Sequence, residues 1–154
     1  MTDTTDKTAI IRKQNDEFRS KTGIPVFAPK VQGQMLMTPG ISQLPPEDII
    51  AVWAKVRDFS DFSEGNDPYA EHDFGAFDHG GKKVFWKIDY YDPSLSYGSD
   101  APDNAEATSR VCTGEILQTH RRRRWSDDAR RSRLRPADFA RMFGRPAGSP
   151  GSVR

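Results

Sequence analysis

Apolar positions at helical spacing predict two helices in the first part of the chain. In residues 5–21, Ile10, Ile11 and Phe18 recur close to the helical period, and a glycine and a proline then stop the pattern. In residues 46–58, a Pro-Pro-Glu-Asp opening supplies the proline and the acids that suit a first helical turn. The apolar side chains of this second helix fall on one face, and they are Ile49, Ile50, Trp53 and Val56.

A strict alternation of apolar and other side chains predicts a β-hairpin in the middle of the chain. From Val84 to Tyr91 the side chains alternate with the two-residue period of a strand. Gly80-Gly81 supplies the turn, so residues 70–78 are predicted to form the antiparallel partner strand.

The register of this hairpin decides which side chains it exposes, because a slip of one residue exchanges the two faces. A two-residue loop at Gly80-Gly81 would place Asp73 opposite Ile88, where burial of an unpaired carboxylate costs several kcal/mol. We therefore expect a three-residue loop at residues 79–81. In that register Phe74 faces Trp86, His72 faces Ile88 and Asp73 faces Lys87, and the outer face carries Glu71, Asp73, Lys87, Asp89 and Tyr91.

Weaker patterns complete an α+β fold. Residues 33–38 predict a strand before Pro39-Gly40, with an extended piece at residues 26–28, and Asp103 or Asn104 suits the N-cap of a helix over residues 104–118. The predicted fold is a small antiparallel sheet with a central hairpin at about residues 70–91, covered by the helices at 5–21, 46–58 and 104–118. The predicted core residues are Ile49, Trp53, Phe74, Trp86 and Ile88.

Length and composition favour one domain with loosely packed ends. The chain has 154 residues, of which 35% are hydrophobic, and its mean hydropathy is −0.76. We expect a flexible segment at residues 1–9, a single domain at residues 10–118 and a poorly ordered tail at residues 119–154. The sequence has no long apolar run and no signal peptide, so a cytoplasmic protein without a membrane partner is expected. The single cysteine, Cys112, excludes an internal disulfide and a CxxC motif.

Charge is strongly segregated along the chain. Residues 58–109 carry 3 basic and 12 acidic side chains, whereas residues 110–154 carry 12 arginines, no lysine and 4 acids. One interpretation of the arginine-rich tail is a frameshift or a fused reading frame. The other is a genuine basic arm, and only in that case is nucleic acid an expected partner, since clustered arginines bind phosphate backbones.

The acidic middle of the chain supplies the candidate chemistry. Glu71, Asp73 and Asp89 on adjacent strands offer the carboxylate oxygens that a divalent cation prefers, with His72 as a candidate base and Lys87 as a candidate stabiliser of negative charge. The simpler interpretation is a solvated sheet face in which Asp73 and Lys87 form a cross-strand ion pair. A histidine in such a strand is more often a satisfied, partly buried side chain than a ligand.

A family resemblance rests on several motifs. They are NDPYAEHDFG from Asn66, WKIDYYD from Trp86, MTPGI at residues 37–41, GSDAPDNAEATSRV at residues 98–111, and Asn15-Asp16 with Phe18 upstream. Together they resemble a small domain family of unknown function that is widespread in alphaproteobacteria and their plasmids, over residues 10–113. The resemblance implies no established activity, but its setting suggests a mobile-element accessory factor. The chain is expected to depart from the family at Cys112.

Two functional hypotheses follow. The first is a non-enzymatic interaction module whose acidic, tyrosine-bearing hairpin and following loop bind a protein partner with a basic surface. Its predicted binding surface consists of Asp67, Tyr69, Glu71, Asp73, Asp89, Tyr91 and Asp92. The alternative is a metal-dependent hydrolase or nuclease that uses Glu71, Asp73 and Asp89 as ligands.

Overall fold

Short helices and a four-stranded sheet make up the described part of the chain. The computed structural model describes residues 4–23, 29–64 and 67–116. In chain order the elements are α1 (Thr4–Ser20), β1 (Gly33–Met37), α2 (Pro39–Ser42), α3 (Pro46–Arg57), β2 (Phe74–His79), β3 (Lys82–Tyr91), a 3₁₀ turn (Ala105–Ala107) and β4 (Ser109–Ile116). The predicted extended piece at residues 26–28 and the arginine-rich tail lie outside the described residues.

The sheet has the strand order β1-β4-β3-β2. The pairs β2–β3 and β3–β4 are antiparallel, whereas β1 runs parallel to β4 at one edge. The α+β fold is therefore confirmed, with β3 inside the sheet and β2 at its edge. The sheet is mixed, so the prediction of a purely antiparallel sheet is wrong. Among the described residues no helix is both long enough and apolar enough to cross a membrane.

The helix predicted over residues 104–118 is wrong, because most of this segment is strand β4. Asn104 does act as a cap, since its side chain accepts a hydrogen bond from the Glu106 amide, but the helix that it begins is only the short 3₁₀ turn. The chain then inserts between β1 and β3 and buries Val111, Cys112 and Thr113. A strand buried on both faces carries no alternation of polar and apolar residues, so its sequence resembles that of a helix.

The hairpin register is the one that the sequence argument rejected. The turn consists of Gly80 and Gly81 alone, both with positive φ, as a tight two-residue turn requires. Phe74 therefore pairs with Lys87 and Gly75 pairs with Trp86. His79, predicted in the loop, is the last residue of β2, and its ring bonds to Asp48 of α3 at 2.9 Å.

Gly75 gives a packing reason for this register. A Cβ atom at Gly75 would lie 2.5 Å from the indole nitrogen of Trp86 and 2.7 Å from the ring of Phe59. Trp86 is fully buried, and only a residue without a side chain leaves room for its indole beside β2. In the predicted register Phe74 would occupy that position, and its ring would not fit there.

The core lies between one face of the sheet and the helices α1, α2 and α3. Trp86 and Ile88 are buried as predicted, whereas Trp53, Ile49 and Phe74 are only partly buried. Ile50, one of the four apolar side chains assigned to one face of this helix, is 71% exposed, whereas Val52 and Val56 of α3 are fully buried. The remaining buried side chains of this core include Ile41, Val56, Val84, Cys112 and Ile116.

Candidate functional site

The acidic and aromatic motifs meet at one end of the sheet. Because β2 and β3 form a hairpin, the segment before β2 and the segment after β3 adjoin the same end, opposite the Gly80-Gly81 turn. We call residues 67–73 the first tyrosine loop, residues 92–98 the second tyrosine loop, and the region that they form the tyrosine end.

Asp67 organises the first tyrosine loop. Its Oδ1 accepts hydrogen bonds from the backbone amides of Glu71 and His72 at 3.0 and 3.1 Å, and the residue is only 9% exposed. The backbone adopts positive φ at Ala70 and His72, which is costly for residues with a side chain. The loop is thus a tight, locally bonded turn rather than the extended strand that was predicted for residues 70–73.

Asn15 of α1 joins this loop to the sheet. Its side-chain amide donates to the Glu71 carbonyl oxygen at 2.9 Å and to the Tyr90 hydroxyl at 2.7 Å. The Tyr90 hydroxyl donates in turn to the Glu71 carboxylate at 2.8 Å, and Arg110 donates to Asn15 Oδ1 at 2.7 Å. Asn15 and Arg110 are fully buried, so this network is an internal anchor and not a solvent-facing site.

His72 is held by α1 and by an aromatic stack. Its Nδ1 lies 2.9 Å from Asp16 Oδ1, and its ring stacks on Phe62 with centroids 3.7 Å apart and an interplanar angle of 5°. The predicted position opposite Ile88 is wrong, because the chain turns out of the strand at His72. The expectation of a satisfied, partly buried histidine is confirmed, since the side chain is 22% exposed and has partners.

Asp73 is an acid whose pKa is strongly raised by its position in the fold. The amide of Ile88 donates to the Asp73 carbonyl oxygen at 2.7 Å, so Asp73 extends the β2 ladder opposite Ile88 and shares its face. Burial, followed by the negative charges of Glu71 and Asp67, raises the pKa of Asp73 to about 7. The placement of Asp73 opposite Ile88, which argued against this register, therefore does occur in the protein. Its consequence is the raised pKa of the Asp73 carboxyl group.

Lys87, which is buried, and Asp89, which is partly buried, form an ion pair on the opposite face of β3. Their side chains are 3.0 Å apart, with exposures of 6% and 22%. Burial raises the pKa of Asp89, and the charge of Lys87 opposes that rise. The predicted pairing of Lys87 with Asp73 is wrong, because Lys87 stands opposite Phe74 and bonds to an acid of its own strand.

The second tyrosine loop is held in the same way as the first, by an aspartate that accepts hydrogen bonds from backbone amides. Asp92 Oδ1 accepts from the amides of Ser96 and Tyr97 at 3.0 and 3.3 Å, and the Ser94 hydroxyl also donates to it. Leu95 adopts positive φ. The Asp92 amide donates to the Tyr97 carbonyl oxygen, and Tyr91 bridges to Gly98, which together close the loop at its base.

The tyrosine end presents two aromatic side chains to solvent. Tyr69 is 62% exposed and Tyr97 is 67% exposed. Tyr91, by contrast, is buried with 5% exposure, so its predicted place on an outer face is wrong. Exposed acids accompany the tyrosines on the segment that follows, at Asp100 and Glu106.

The predicted site residues separate into two groups. Asp67, Glu71, His72 and Asp73 come together in one loop, and the charges of Glu71, Asp67 and Asp89 all act on Asp73. Lys87 and Tyr91 form the second group, because they lie on β3 and are buried. Within residues 4–23, 29–64 and 67–116, no three His, Cys, Asp or Glu side chains are arranged to hold a metal ion.

Sequence reasoning missed the role of α1 as the support of this site. Asn15 lies four residues after Ile11 and three before Phe18, so the helical period places a polar amide on the buried face. A buried amide needs hydrogen-bond partners, so its position on the buried face could have indicated a contact with another element. The presence of Asn15-Asp16 among the motifs of the family resemblance pointed to the same residues.

Comparison with known proteins identifies the family of this chain. A family model described as "Protein of unknown function (DUF3768)" matches residues 37–120, more than half of the chain, and the chain belongs to that family. No curated protein and no solved structure matches. The match continues past Cys112, and residues 112–116 lie in β4, so the expected departure from the family at Cys112 is wrong.

Proposed function

We propose that this DUF3768 member is a non-enzymatic interaction module whose tyrosine end binds a basic surface of a protein partner. The observation that carries the proposal is the exposure of Tyr69 and Tyr97 on two tightly bonded loops at the same end of the sheet. Tyrosine is enriched in interface hot spots, because it combines a large apolar ring with a hydroxyl that can hydrogen-bond.

The rigidity of the loops supports a binding role. Each loop is closed by an aspartate that accepts hydrogen bonds from two backbone amides, so each tyrosine is carried on a defined backbone. A preorganised loop loses less conformational entropy on association, which improves affinity without any additional contact. Positive φ at Ala70 and Leu95 is consistent with loops whose shape is kept in spite of local strain.

Charge indicates the kind of partner. Residues 58–109, which include both loops, carry 3 basic and 12 acidic side chains. An acidic surface attracts a basic partner and accelerates its association, and this attraction weakens as salt is added. The proposed partner is therefore a protein whose contact surface is rich in lysine or arginine.

Affinity capture with matched variants tests the proposal. The wild-type chain, the Tyr69→Ala/Tyr97→Ala double variant and an Ile50→Ala control would each be used to capture proteins from an extract of the native host. Ile50 is a suitable control because it is an equally exposed apolar side chain on α3, away from the loops. We expect a basic protein to be retained by the wild type and the control, and its recovery by the double variant to fall about tenfold or more. Equal recovery by all three chains would refute the proposal.

Calorimetric titration with magnesium, manganese and zinc tests the enzymatic alternative. A saturable heat that disappears in both Asp73→Asn and Asp89→Asn would favour a metal site at these carboxylates and would replace the proposal. The Asp100→Asn variant is the control, because this exposed acid lies outside the predicted ligand set.

A further inference from the structure

The sheet has two faces, and the apolar core lies on one of them. On β3 the side chains of that face are Val84, Trp86 and Ile88, which pack with the helices in the two apolar clusters of the core. Side chains alternate along each strand, so the strand pairing defines the other face, which we call the second face. Its side chains are Leu36 of β1, Phe74 and Ala76 of β2, Phe85, Lys87, Asp89 and Tyr91 of β3, and Val111, Thr113 and Glu115 of β4.

The centre of the second face is buried as well. Lys87 and Tyr91 are each 5% exposed, Val111 is 3% exposed and Thr113 is 2% exposed. Val111 and Tyr91 nevertheless belong to neither apolar cluster. In a sheet face that is open to water, neighbouring strands shield a side chain only from the sides, and polar residues prevail there. The burial of a lysine and a valine on this face therefore requires a cover.

The surface that the cover meets is apolar around one internal ion pair. The rings of Phe74 and Phe85 lie 6.0 Å apart and extend the apolar area toward β2. Lys87 and Asp89 bond to each other at 3.0 Å, so neither needs a charged partner from outside the sheet. A matching cover consequently contributes apolar side chains, and charge does not select it.

The cover belongs to this chain, because the structure contains a single chain. The helices α1, α2 and α3 supply Phe18, Ile41 and Val56 to the clusters of the opposite face. Outside the described residues, residues 1–3 and 65–66 are too few to cover a four-stranded sheet. Residues 24–28 join α1 to the segment before β1, which ties them to one edge. The remaining stretch is residues 117–154, which we call the C-terminal segment.

The geometry points to the C-terminal segment as a layer that packs on the second face through its apolar side chains. Those side chains are Trp125, Leu134, Phe139, Met142 and Phe143. The inference goes beyond the proposed function, because it concerns the sheet and not the tyrosine end. It also makes the arginine-rich part of the sequence a genuine part of the fold.

The point where the segment begins and its length both suit this role. The segment follows β4, which lies inside the sheet between β1 and β3, and Ile116 stands opposite Val84 beside the glycine turn. The eight residues of β4 span about 27 Å at the rise of a strand. Trp125 follows Ile116 by nine residues, which extend over about 30 Å. The segment is therefore long enough to return along the whole second face.

A spin label on the full chain tests where the segment lies. Ser126→Cys places the label beside Trp125. Cys112 is buried, and burial raises the pKa of its thiol, so it does not compete for the reagent. We expect the methyl NMR signals of Leu36 and Val111 on the second face to lose most of their intensity and those of Val52 on α3 to keep theirs. Equal losses on both faces, or no loss on the second face, would overturn the inference.

Two controls complete the label experiment. The chemically reduced, diamagnetic label gives the reference intensities. A mixture of isotope-enriched wild-type chains with spin-labelled chains of natural isotope abundance separates contacts within a chain from contacts between chains. The second-face signals should stay sharp in this mixture. Broadening there would assign the cover to a second copy and would also overturn the inference.

Amine modification read by mass spectrometry gives an independent measurement. In the wild type, Lys87 should react with acetic anhydride much more slowly than Lys82, an exposed lysine of the same strand. A variant that removes the apolar side chains of the segment should raise the rate at Lys87 about tenfold and leave the rate at Lys82 unchanged. Its substitutions are Trp125→Ser, Leu134→Ser, Phe139→Ser, Met142→Ser and Phe143→Ser.

The matched control changes the same number of charged side chains in the same segment. Its substitutions are Arg130→Ser, Arg131→Ser, Arg133→Ser, Arg135→Ser and Arg145→Ser, and it should keep Lys87 protected. Equal rates at Lys87 and Lys82 in the wild type, or an unchanged Lys87 rate in the apolar variant, would overturn the inference. If the apolar variant fails to fold, the spin label still decides the question.

Discussion

The two tyrosine loops are closed by the same hydrogen-bonding pattern, but they differ in their bonds to the rest of the protein. In each, an aspartate accepts hydrogen bonds from two backbone amides and a residue with positive φ closes the turn. The first loop is also bonded to α1 through Asn15 and Asp16, and its aspartate is buried. For the second loop only bonds within the loop and at its base are found among the described residues. Similar turn chemistry can therefore produce a loop that is anchored to another element of the fold or a loop that is held only by its own bonds.

The largest expected difference between the loops is their response to pH, since only the first carries a partly buried acid of raised pKa. The pKa of Asp73 is about 7 in the folded protein and 3.8 as its ordinary value. The folded state therefore holds a proton that the unfolded state has lost, and the free energy of unfolding decreases as pH rises from about 4 to 7. At about 1.4 kcal/mol for each pKa unit, the loss reaches at most about 4 kcal/mol.

Urea denaturation of Asp73→Asn between pH 4 and pH 8 measures this effect. The variant should be more stable than the wild type above pH 7 and should lose most of the decrease with pH. An Asp92→Asn variant is the control from the second loop, and its pH profile should follow that of the wild type. A wild-type profile that is flat over this range would contradict the burial of Asp73.

Removal of the α1 anchor should affect the first loop alone. Asn15→Ala deprives the Glu71 carbonyl, the Tyr90 hydroxyl and Arg110 of a buried partner, so we expect a loss of about 3 kcal/mol in the free energy of unfolding. Lys13→Ala on the exposed side of α1 is the control. Hydrogen exchange should become faster at the amides of Glu71 and His72 and should not change at Tyr97. Faster exchange in both loops would show that they are coupled.

Replacement of Asp67 and of Asp92 compares how much each aspartate contributes to stability. Asp67→Ala leaves the backbone amides of Glu71 and His72 without their acceptor, which is a buried side chain, and we expect a loss of about 2 kcal/mol in the free energy of unfolding. Asp92→Ala should lower the melting temperature much less, because water can replace the carboxylate at the surface. Thermal unfolding of both variants provides the measurement. An effect of equal size would mean that the second loop contributes as much to stability as the first.

The smallest expected effect concerns the strained backbone. Glycine at position 70 relieves the positive φ of Ala70, an exposed residue, and should stabilise the protein by about 0.5 kcal/mol. Leu95→Gly should give a smaller gain, because it also removes a half-buried side chain. Denaturation curves of the two variants test this order, and destabilisation by Ala70→Gly would mean that the methyl group has a packing role.

The local patterns of the sequence predicted much of the fold. The helical period identified α1 and α3, the alternation of residues 84–91 identified β3, and the glycine pair identified the turn. The same patterns failed for β4, because a strand between two others is buried on both faces and loses the alternation that marks a strand. They also failed for the hairpin register, where the space beside Trp86 mattered more than the burial of one carboxyl.

The candidate site was predicted in its composition but not in its arrangement. Glu71, Asp73 and Asp89 were identified as an acid cluster with His72 beside them, and Asp67 was named only as part of the predicted binding surface. In the structure Asp67, Glu71, His72 and Asp73 share one loop, whereas Asp89 lies on β3. The sequence did not indicate that Asp67 holds the backbone, that His72 bonds to α1, or that Tyr91 is buried while Tyr69 and Tyr97 are exposed. Those outcomes depend on contacts between residues that are far apart in the chain, such as the 56-residue separation of Asn15 and Glu71.

The sequence alone determined the features that arise from neighbouring residues: two helices, a hairpin with a glycine turn, the acidic middle of the chain and its family motifs. Only the tertiary structure decided the order of the strands, the register of the hairpin and which acids and tyrosines face solvent. The reason is physical. Helix period, strand alternation and turn chemistry act over a few residues, whereas burial and buried hydrogen bonds depend on which distant side chains fill the same space.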